Sequence, residues 1–303
     1  MKIGFAARYD PLDKKTWSGT AWHSLQQVKK YGPTEIFQFG MPKLLQEWLT
    51  TRKSINKRWF GRATSVEFLQ AYAKYFSSRL TRELEKRPVD LLFVSASSQL
   101  IAYADLHVPV IYMTDATFQQ LQGYYPGFSN LGASNIRQGI ALDQQAFRKS
   151  AHCMLASEWC RESAQRDYGI PSSKITVAHC GANLERIPSR ETLDPERKIK
   201  ARILFLGVDW ERKGGEIAWD AFGRIRQEIP DAVFTIVGCE PPGHIASAGE
   251  VELIPYLDKN KAEDAFRLHE LLLQSDLLLL PTRAECAGIV FCEAAAYDIP
   301  VLS

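Results

Sequence analysis

Residues 281–303 read PTRAECAGIVFCEAAAYDIPVLS. The apolar run before this stretch predicts a buried strand, and Pro281 begins a turn that leads into a helix near Gly288. Because the first backbone N–H groups of a helix have no partner inside it, the amides around Gly288, Ile289 and Val290 favour a phosphate or a sugar oxygen. A strand that passes through a turn into a helix indicates an α/β fold with a binding site at the turn.

Two carboxylates, Glu285 and Glu293, are separated by seven residues in this stretch. A carboxylate repels phosphate, so both side chains are expected to accept hydrogen bonds from hydroxyl groups. Glu285 falls in the loop before the helix, whereas Glu293 falls more than one turn inside it. The alternative is that Glu285 is a loop charge and Glu293 a solvated residue of the first helical turn.

Short apolar stretches bounded by turn residues alternate with amphipathic stretches along the whole chain, which predicts parallel sheets covered by helices on both faces. Strands are predicted at 3–7, 35–39, 90–95, 108–113, 153–156, 175–178, 202–207, 232–237 and 276–280, and another opens at 299. Helices are predicted at 65–86, 134–149, 213–228, 262–274 and 288–297.

The alternation is interrupted at residues 187–200, IPSRETLDPERKIK, which are polar and contain two prolines. Such a segment is typical of a linker or hinge. We therefore predict one doubly wound domain at 1–186 and a second at 201–303. Because the sequence stops within a core strand, the second domain is expected to be incomplete, with roughly 80 residues missing.

Composition excludes several classes of protein. The 37 Lys and Arg residues nearly balance the 35 acidic residues, so no whole-molecule field would attract nucleic acid. Neither the six cysteines nor the six histidines have metal-ligand spacing, which predicts no metal site. No signal peptide or spanning helix is evident, and the expected location is the cytoplasm.

The segment 281–303 resembles the donor-site motif of glycosyltransferase family 4, whose members are retaining enzymes of the GT-B architecture. The resemblance extends to ILFLGVDWERKGG, where a strand enters a glycine turn at Gly207. Lys213 matches the family's lysine that holds the donor diphosphate. Val208 stands where many members have an arginine, which leaves Arg212 as the candidate for the second positive charge.

The first half carries weaker matches to the same family. Gly19, in WSGT, matches a glycine that approaches the diphosphate, and Asp115, in TDATF, occupies the region of a His or Asp near the transferred sugar. Asp115 could equally cap a turn. In CGANL, Gly181 and Asn183 match the segment before the linker, although turn formation explains them as well.

The resemblance implies two Rossmann-like domains facing a cleft, with acceptor binding at 1–186 and donor binding at 201–303. It implies metal-independent and cofactor-independent transfer of a hexose or related sugar from a UDP- or GDP-sugar to a sugar, glycan or lipid-linked acceptor. Lys213, Arg212 and the amides near Ile289 would stabilise the leaving diphosphate. The alternatives are a truncated or degenerate binding protein without turnover, and an epimerase or phosphorylase of similar fold.

A basic and aromatic segment, RKSINKRWFGR at 52–62, follows the second strand as an apparent excursion from the fold. It suits peripheral contact with the anionic inner surface of a membrane, near a lipid-linked acceptor. The other interpretation is a solvated surface whose two aromatic residues pack on the domain.

Overall fold

The computed structural model describes residues 1–189 and 200–303. The chain divides into two compact units, Met1–His179 and Cys180–Ser303, and each contains a parallel sheet with helices. The first domain was predicted to end at 186, whereas residues 180–186 group with the second unit. Residues 190–199, which include most of the predicted linker, lie outside the described residues.

The elements of the first unit follow the predicted alternation of strands and helices. Its strands are β1 (Ile3–Ala7), β2 (Thr34–Gln38), β3 (Leu91–Ser95), β4 (Val110–Thr114), β5 (His152–Leu155) and β6 (Ile175–Val177). Its α-helices are α1 (Thr20–Val28), α2 (Lys43–Phe60), α3 (Gln70–Lys86), α4 (Ser98–Ile101), α5 (Phe118–Leu121), α6 (Ala133–Lys149) and α7 (Glu158–Tyr168). Short 3-10 turns lie at Thr16–Gly19, Lys29–Tyr31, Val66–Phe68, Pro126–Phe128 and Ser172–Lys174.

The sheet of the first unit has the order β2-β1-β3-β4-β5-β6, with every described pair parallel. Its strands are apolar because both faces of a parallel sheet are covered by helices. All five residues of β1 are buried, and Phe5 stacks on Phe93 of β3 at 5.5 Å between ring centroids. The direction of winding reverses between β1 and β3, the position at which such sheets form a crevice.

The second unit repeats this plan. Its strands are β7 (Arg202–Leu206), β8 (Val233–Val237), β9 (Val251–Ile254), β10 (Leu277–Leu279) and β11 (Val301–Leu302). Its helices are α8 (Gly215–Glu228), α9 (Gly243–Ala246), α10 (Ala262–Gln274) and α11 (Ile289–Ala295).

The sheet of the second unit has the order β11-β10-β7-β8-β9, again parallel. Its core is centred on Phe205, Phe222 and Phe234, and the rings of Phe222 and Phe234 stack at 4.9 Å. The chain winds from β7 to β9 in one direction and then crosses to β10 on the other side of β7. The carboxyl ends of β7 and β10 therefore flank the crevice in which α/β proteins bind ligands.

The predicted strands are all present, with ends moved by no more than two residues. β9 was not predicted, because it is a short edge strand with Glu252 and Leu253 exposed and lacks a clear apolar pattern. The segment 52–60, interpreted as an excursion, is the second half of α2.

Two helices begin at least two residues later than predicted. The helix expected from residue 65 is preceded by a 3-10 turn, and the extended backbone of Leu69 separates that turn from α3. The helix expected from residue 213 begins at Gly215, because Gly214 adopts a left-handed conformation with φ of 75°. Lys213 thus lies in the turn rather than at the start of α8.

The turns that follow β7 and β10 are in close contact at Gly214. A Cβ atom on Gly214 would lie 2.0 Å from the carbonyl oxygen of Pro281, so only glycine permits this approach. The backbone N–H of Arg283 donates to the carbonyl oxygen of Arg212 at 2.8 Å, and Thr282 donates its hydroxyl to the same oxygen at 3.3 Å. These contacts fix the two loops to each other.

Replacing Gly214 with alanine should destabilise the second unit by about 2–4 kcal/mol, through the left-handed backbone and the clash with Pro281. Gly223→Ala is the matched control: Gly223 lies inside α8, and a Cβ there would have no atom within 4 Å, so alanine should stabilise by about 0.5–1 kcal/mol. Urea denaturation monitored by tryptophan fluorescence measures both. Equal stability of the two variants would contradict the assigned contact.

Candidate functional site

Lys213 and Glu285 form an ion pair across the two loops at the carboxyl ends of β7 and β10. The ammonium group of Lys213 contacts Oε2 of Glu285. Lys213 is only 7% exposed, and its methylene chain packs against Gly207, where a Cβ would lie 2.9 Å from the Cγ of Lys213. Lys213 and Glu285 were assigned to one site from separate segments of the sequence, and the structure brings them together.

The environment of Glu285 keeps its carboxylate charged. Burial raises the pKa of Glu285, but the hydrogen bond and charge of Lys213, the N–H of Gly288 and the charge of Arg212 outweigh it. The pKa of Glu285 is therefore below its ordinary value. A negative charge persists beside the buried lysine at neutral pH.

Arg212 lies at the edge of the same group of charges. Its Nη1 donates to the carbonyl oxygen of Ala284 at 3.0 Å and lies 3.9 Å from Oε2 of Glu285. Its Nε lies 3.7 Å from Oδ2 of Asp209, and its side chain is 17% exposed. Two cations and two carboxylates thus meet at the carboxyl edge of the sheet. Val208, which follows Gly207 in the turn after β7, is 62% exposed.

The start of α11 borders this cluster. Gly288 is its N-cap, with φ of 58°, and a Cβ there would lie 2.6 Å from a ring carbon of Phe291. The backbone N–H of Gly288 is one of the groups that lower the pKa of the Glu285 carboxylate. Ile289 and Val290 are the first two residues of α11, as predicted, and are partly buried.

Glu293 is held in a separate ion pair. Its side chain is 5% exposed and its Oε1 lies 2.5 Å from the Nζ of Lys259, so the interpretation of Glu293 as a solvated charge is wrong. Lys259 also donates to the carbonyl oxygen of Asn183 at 3.5 Å. Burial raises the pKa of Glu293, and the charge and hydrogen bond of Lys259 only partly offset that effect.

Lys259 was not predicted as a site residue. It lies in a polar segment between β9 and α10, and its neighbours Asn260 and Lys261 are exposed. The segment resembles an ordinary solvated loop, and no local spacing relates Lys259 to Glu293, which is 34 positions away. Only the position of Lys259 after β9, at the carboxyl edge of a parallel sheet, could have indicated a binding residue.

In the first unit, the structure brings the WSGT loop and Asp115 together. The indole Nε1 of Trp17 donates to Oδ2 of Asp115 at 3.0 Å. Trp17, Ser18 and Gly19 have φ of 49°, 54° and 87°, a run of left-handed residues that is costly for the two with side chains. Gly19 is buried and is the N-cap of α1. Thr117, two residues after Asp115, is the N-cap of α5.

Arg8 is a second residue that was not predicted. It directly follows β1 and is 6% exposed. Its Nη1 donates to the carbonyl oxygen of Phe39 at 3.0 Å, and its guanidinium lies 4.2 Å from the ring centroid of Phe76. Its backbone N–H donates to the hydroxyl of Ser97 at 2.9 Å. Arg8 therefore links the loops after β1 and β3 at the crevice of the first unit.

Two further properties concern metals and membranes. Within residues 1–189 and 200–303, no group of three or more His, Cys, Asp or Glu side chains could hold a metal ion. No helix in the same part of the chain is both long enough and apolar enough to cross a membrane.

Two family models match the sequence. The one described as "Glycosyltransferase Family 4" covers residues 55–186, and the one described as "Glycosyl transferases group 1" covers residues 200–303. Together they cover most of both units. The second includes both loops that carry the Lys213–Glu285 pair.

Curated proteins with related sequences are bacterial. A Klebsiella pneumoniae protein described as an uncharacterized 41.2 kDa protein in the cps region is 25% identical over 167 residues, covering 53% of this chain and 44% of the relative. The lipopolysaccharide glucosyltransferase WaaG of Escherichia coli is 25% identical over 206 residues, covering 64% and 55%. The chain thus spans about half the length of these relatives.

Solved structures share the fold. A sucrose-phosphate synthase from Thermosynechococcus elongatus has a TM-score of 0.65 at 13% identity, covering 99% of this chain and 80% of that one. A UDP-GlcNAc 2-epimerase from Neisseria meningitidis bound to UDP-GlcNAc has a TM-score of 0.54 at 16% identity, covering 100% and 82%. The structural similarity establishes a common architecture of two Rossmann-like units. At such low sequence identity it does not establish a shared reaction.

The ion pair between Lys259 and Glu293 leads to a prediction about how stability depends on pH. Lys259→Met should leave the Glu293 carboxylate without its cation and destabilise the protein by about 2–3 kcal/mol at neutral pH. Because the pKa of Glu293 is then raised further, the folded state binds a proton more tightly than the unfolded state, and its stability falls as pH rises through that pKa. The destabilisation should therefore shrink as pH is lowered toward the ordinary value of 4.5.

Urea denaturation of Lys259→Met at several pH values measures this effect. Lys261→Met is the matched control, since Lys261 is an exposed lysine two positions away. The control should remain within about 0.5 kcal/mol of the wild type throughout. A pH-independent difference between the two variants would show that Lys259 does not support the charge of Glu293.

Proposed function

This chain belongs to the glycosyltransferases of family 4 with the GT-B architecture, and we propose that it is a retaining enzyme that uses a nucleotide-diphosphate sugar. The donor is a UDP- or GDP-sugar, and the acceptor is a hydroxyl group of a sugar, glycan or lipid-linked molecule. The observation that carries the proposal is the placement of Lys213, Arg212 and Glu285 at the crevice between β7 and β10.

Charge development explains why these residues suit the reaction. When the bond between the anomeric carbon and the phosphate oxygen breaks, negative charge grows on the diphosphate and the sugar becomes oxocarbenium-like. Lys213 is buried, so its charge interacts with the leaving group through little water. Arg212 supplies the second cation, and the first amides of α11 at Ile289 and Val290 add partial positive charge.

The two carboxylates have different roles in this proposal. Glu285, beside Lys213, accepts hydrogen bonds from sugar hydroxyls next to the diphosphate. Glu293, oriented by Lys259, accepts hydrogen bonds from both hydroxyls of the nucleotide's ribose, since one carboxylate can accept from two hydroxyl donors. In the first unit, we assign Gly19 to the approach of the donor diphosphate and Asp115 to the region of the transferred sugar. The same unit binds the acceptor in this proposal.

The proposed step needs no protein nucleophile. The acceptor hydroxyl attacks the anomeric carbon from the face that the phosphate leaves, a new carbon–oxygen bond forms, and the departing phosphate oxygen takes the hydroxyl proton. Configuration is retained because attack and departure share one face. Metal independence is part of the proposal, and turnover should persist in the presence of EDTA.

The direct test is a panel of UDP- and GDP-sugars incubated with mono- and oligosaccharides and with a lipid-linked sugar. Release of UDP or GDP that depends on the acceptor is the expected result. The names of related structures include UDP and UDP-GlcNAc, so UDP-sugars are the first donors to examine. Nucleotide binding without release would support the binding-protein alternative, and acceptor-independent conversion of the sugar nucleotide would support an epimerase.

Lys213→Ala should reduce kcat by about thirtyfold to a thousandfold, because loss of a charged hydrogen-bond partner in a dry site costs about 2–4 kcal/mol. Acceptor KM should change little. Lys261→Ala, which removes an exposed lysine from the same unit, is the control and should keep wild-type rates. If Lys213→Ala kept wild-type turnover, Lys213 would not be the phosphate contact, and Arg212 would be the next candidate.

Glu293→Ala and Glu285→Ala should separate nucleotide binding from sugar positioning. Glu293→Ala should weaken binding of the free nucleoside diphosphate by about 1.5–3 kcal/mol, through loss of the ribose hydrogen bonds. Glu285→Ala should leave that affinity nearly intact and lower kcat with the intact sugar nucleotide.

Calorimetric titration with the nucleoside diphosphate and steady-state kinetics with the donor measure the two effects. The reverse pattern would exchange the roles of the carboxylates. If neither variant changes binding or rate, the carboxylates are structural charges and the assignment of this site is wrong.

A further inference from the structure

Arg8 is a buried cation whose close contacts are with neutral groups. Its guanidinium carbon lies 4.2 Å from the ring centroid of Phe76 and 5.3 Å from those of Tyr9 and Tyr72. Its Nε donates to the hydroxyl of Tyr72, and its Nη1 donates to the carbonyl oxygen of Phe39 at 3.0 Å. An arginine that is only 6% exposed is unusual unless an opposite charge pairs with it.

The charge of Arg8 has no close counterion in the described part of the chain, where no carboxylate forms an ion pair with it within 4.0 Å. An acidic side chain, Glu67, acts on it from farther away and lies in the 3-10 turn before α3. Burial raises the pKa of Glu67 more than the charge of Arg8 lowers it. Glu67 is therefore not stabilised as the counterion of Arg8.

One nitrogen of the guanidinium, Nη2, is available to a ligand. Among the described residues, no protein group accepts a hydrogen bond from Nη2 of Arg8. In the same part of the chain, the one fully enclosed side-chain nitrogen or oxygen without a partner is Oγ of Ser95, so Nη2 reaches the solvent. Phosphate and carboxylate oxygens suit this donor, because hydrogen bonds between ionised groups are shorter and stronger than neutral ones.

The position of Arg8 in the sheet also favours ligand binding. Arg8 follows β1, Phe39 follows β2, and Ser97, whose hydroxyl accepts from the backbone N–H of Arg8, follows β3. Tyr72 belongs to the first turn of α3. These groups hold the guanidinium at the carboxyl edge of a parallel sheet whose winding reverses between β1 and β3, which is where such sheets bind ligands.

We propose that Arg8 binds an anionic group of the acceptor, a phosphate monoester or a carboxylate carried by a sugar, at the carboxyl edge of β1 and β3. The inference rests on the proposed function only in naming the acceptor as the carrier of the anion. Nη2 donates to an oxygen of the anion. Tyr72 and Phe39 already fix the guanidinium, so binding orders little that is not ordered beforehand. The charge of Glu67 opposes the anion and limits its affinity.

Isothermal titration calorimetry at pH 8 with inorganic phosphate, the simplest anion of this kind, tests the site. Arg8→Gln should weaken phosphate binding about tenfold or more, because a hydrogen bond between ionised groups is lost. Glu67→Gln removes a nearby negative charge and leaves Arg8 in place, so it should strengthen binding about threefold. This second variant keeps the proposal testable if thermal unfolding shows that Arg8→Gln does not fold.

Arg79→Gln is the matched control. Arg79 also contacts the loop after β2, since its Nη1 donates to the carbonyl oxygen of Gly40 at 3.3 Å. Arg79→Gln should keep phosphate affinity within about twofold of the wild type. Equal phosphate affinity in the wild type and Arg8→Gln, or no gain of affinity in Glu67→Gln, would overturn the proposal.

Sugars then identify the anionic group. Glucose 6-phosphate or glucuronate should bind more tightly than glucose, and the tighter of the two distinguishes a phosphate ester from a carboxylate. In the transfer assay, Arg8→Gln should raise the KM of the anionic acceptor about tenfold and leave the KM of the donor unchanged. If no transfer occurs but Arg8→Gln still loses phosphate binding, the proposed function fails and the anion site stands. Transfer to an anionic acceptor with an unchanged KM in Arg8→Gln would overturn the site.

Discussion

The arrangement of charges in the second unit depends on the close approach of two loops at Gly214. Because this residue has no side chain, the turn after β7 lies directly against the Pro281 carbonyl after β10. Strand order alone would place these loops on adjacent strands without fixing their separation. The contact sets the distance at which the Lys213 ammonium meets the Glu285 carboxylate, and thereby gives the buried lysine a partner of opposite charge.

Much of this architecture can be predicted from the sequence, because the strands of a parallel sheet are short continuous apolar segments. Continuous apolar runs such as 203–206 indicate the strands, and the residues after them must lie at one edge of the sheet. Lys213 and Glu285 follow neighbouring strands and are therefore brought together by topology. The resemblance of the two segments to family 4 assigned both residues to one site, but their ion pair was not predicted from the sequence.

The residues that could not be predicted are defined by distant contacts. In the sequence, Lys259 looks like an ordinary loop lysine, and only the structure shows that it pairs with the buried Glu293. Arg8 likewise looks like an ordinary residue after a strand, and only the structure shows that it packs on aromatic rings. The exposed apolar side chains of α2 were only partly evident from the sequence, because Leu44 and Trp48 precede the basic segment at 52–62. Such features arise from packing between elements far apart in sequence, which local patterns do not encode.

The pairing of charges at the turns after β7 and β10 affects how any anion would bind there. Arg212 and Lys213 are already matched by Asp209 and Glu285, so the cluster is electrically neutral as folded. An anion that bound here would therefore share these cations with the protein carboxylates. Because protein carboxylates already neutralise these cations, the affinity of an anion for this cluster should depend more on the geometry of the loops than on ionic strength.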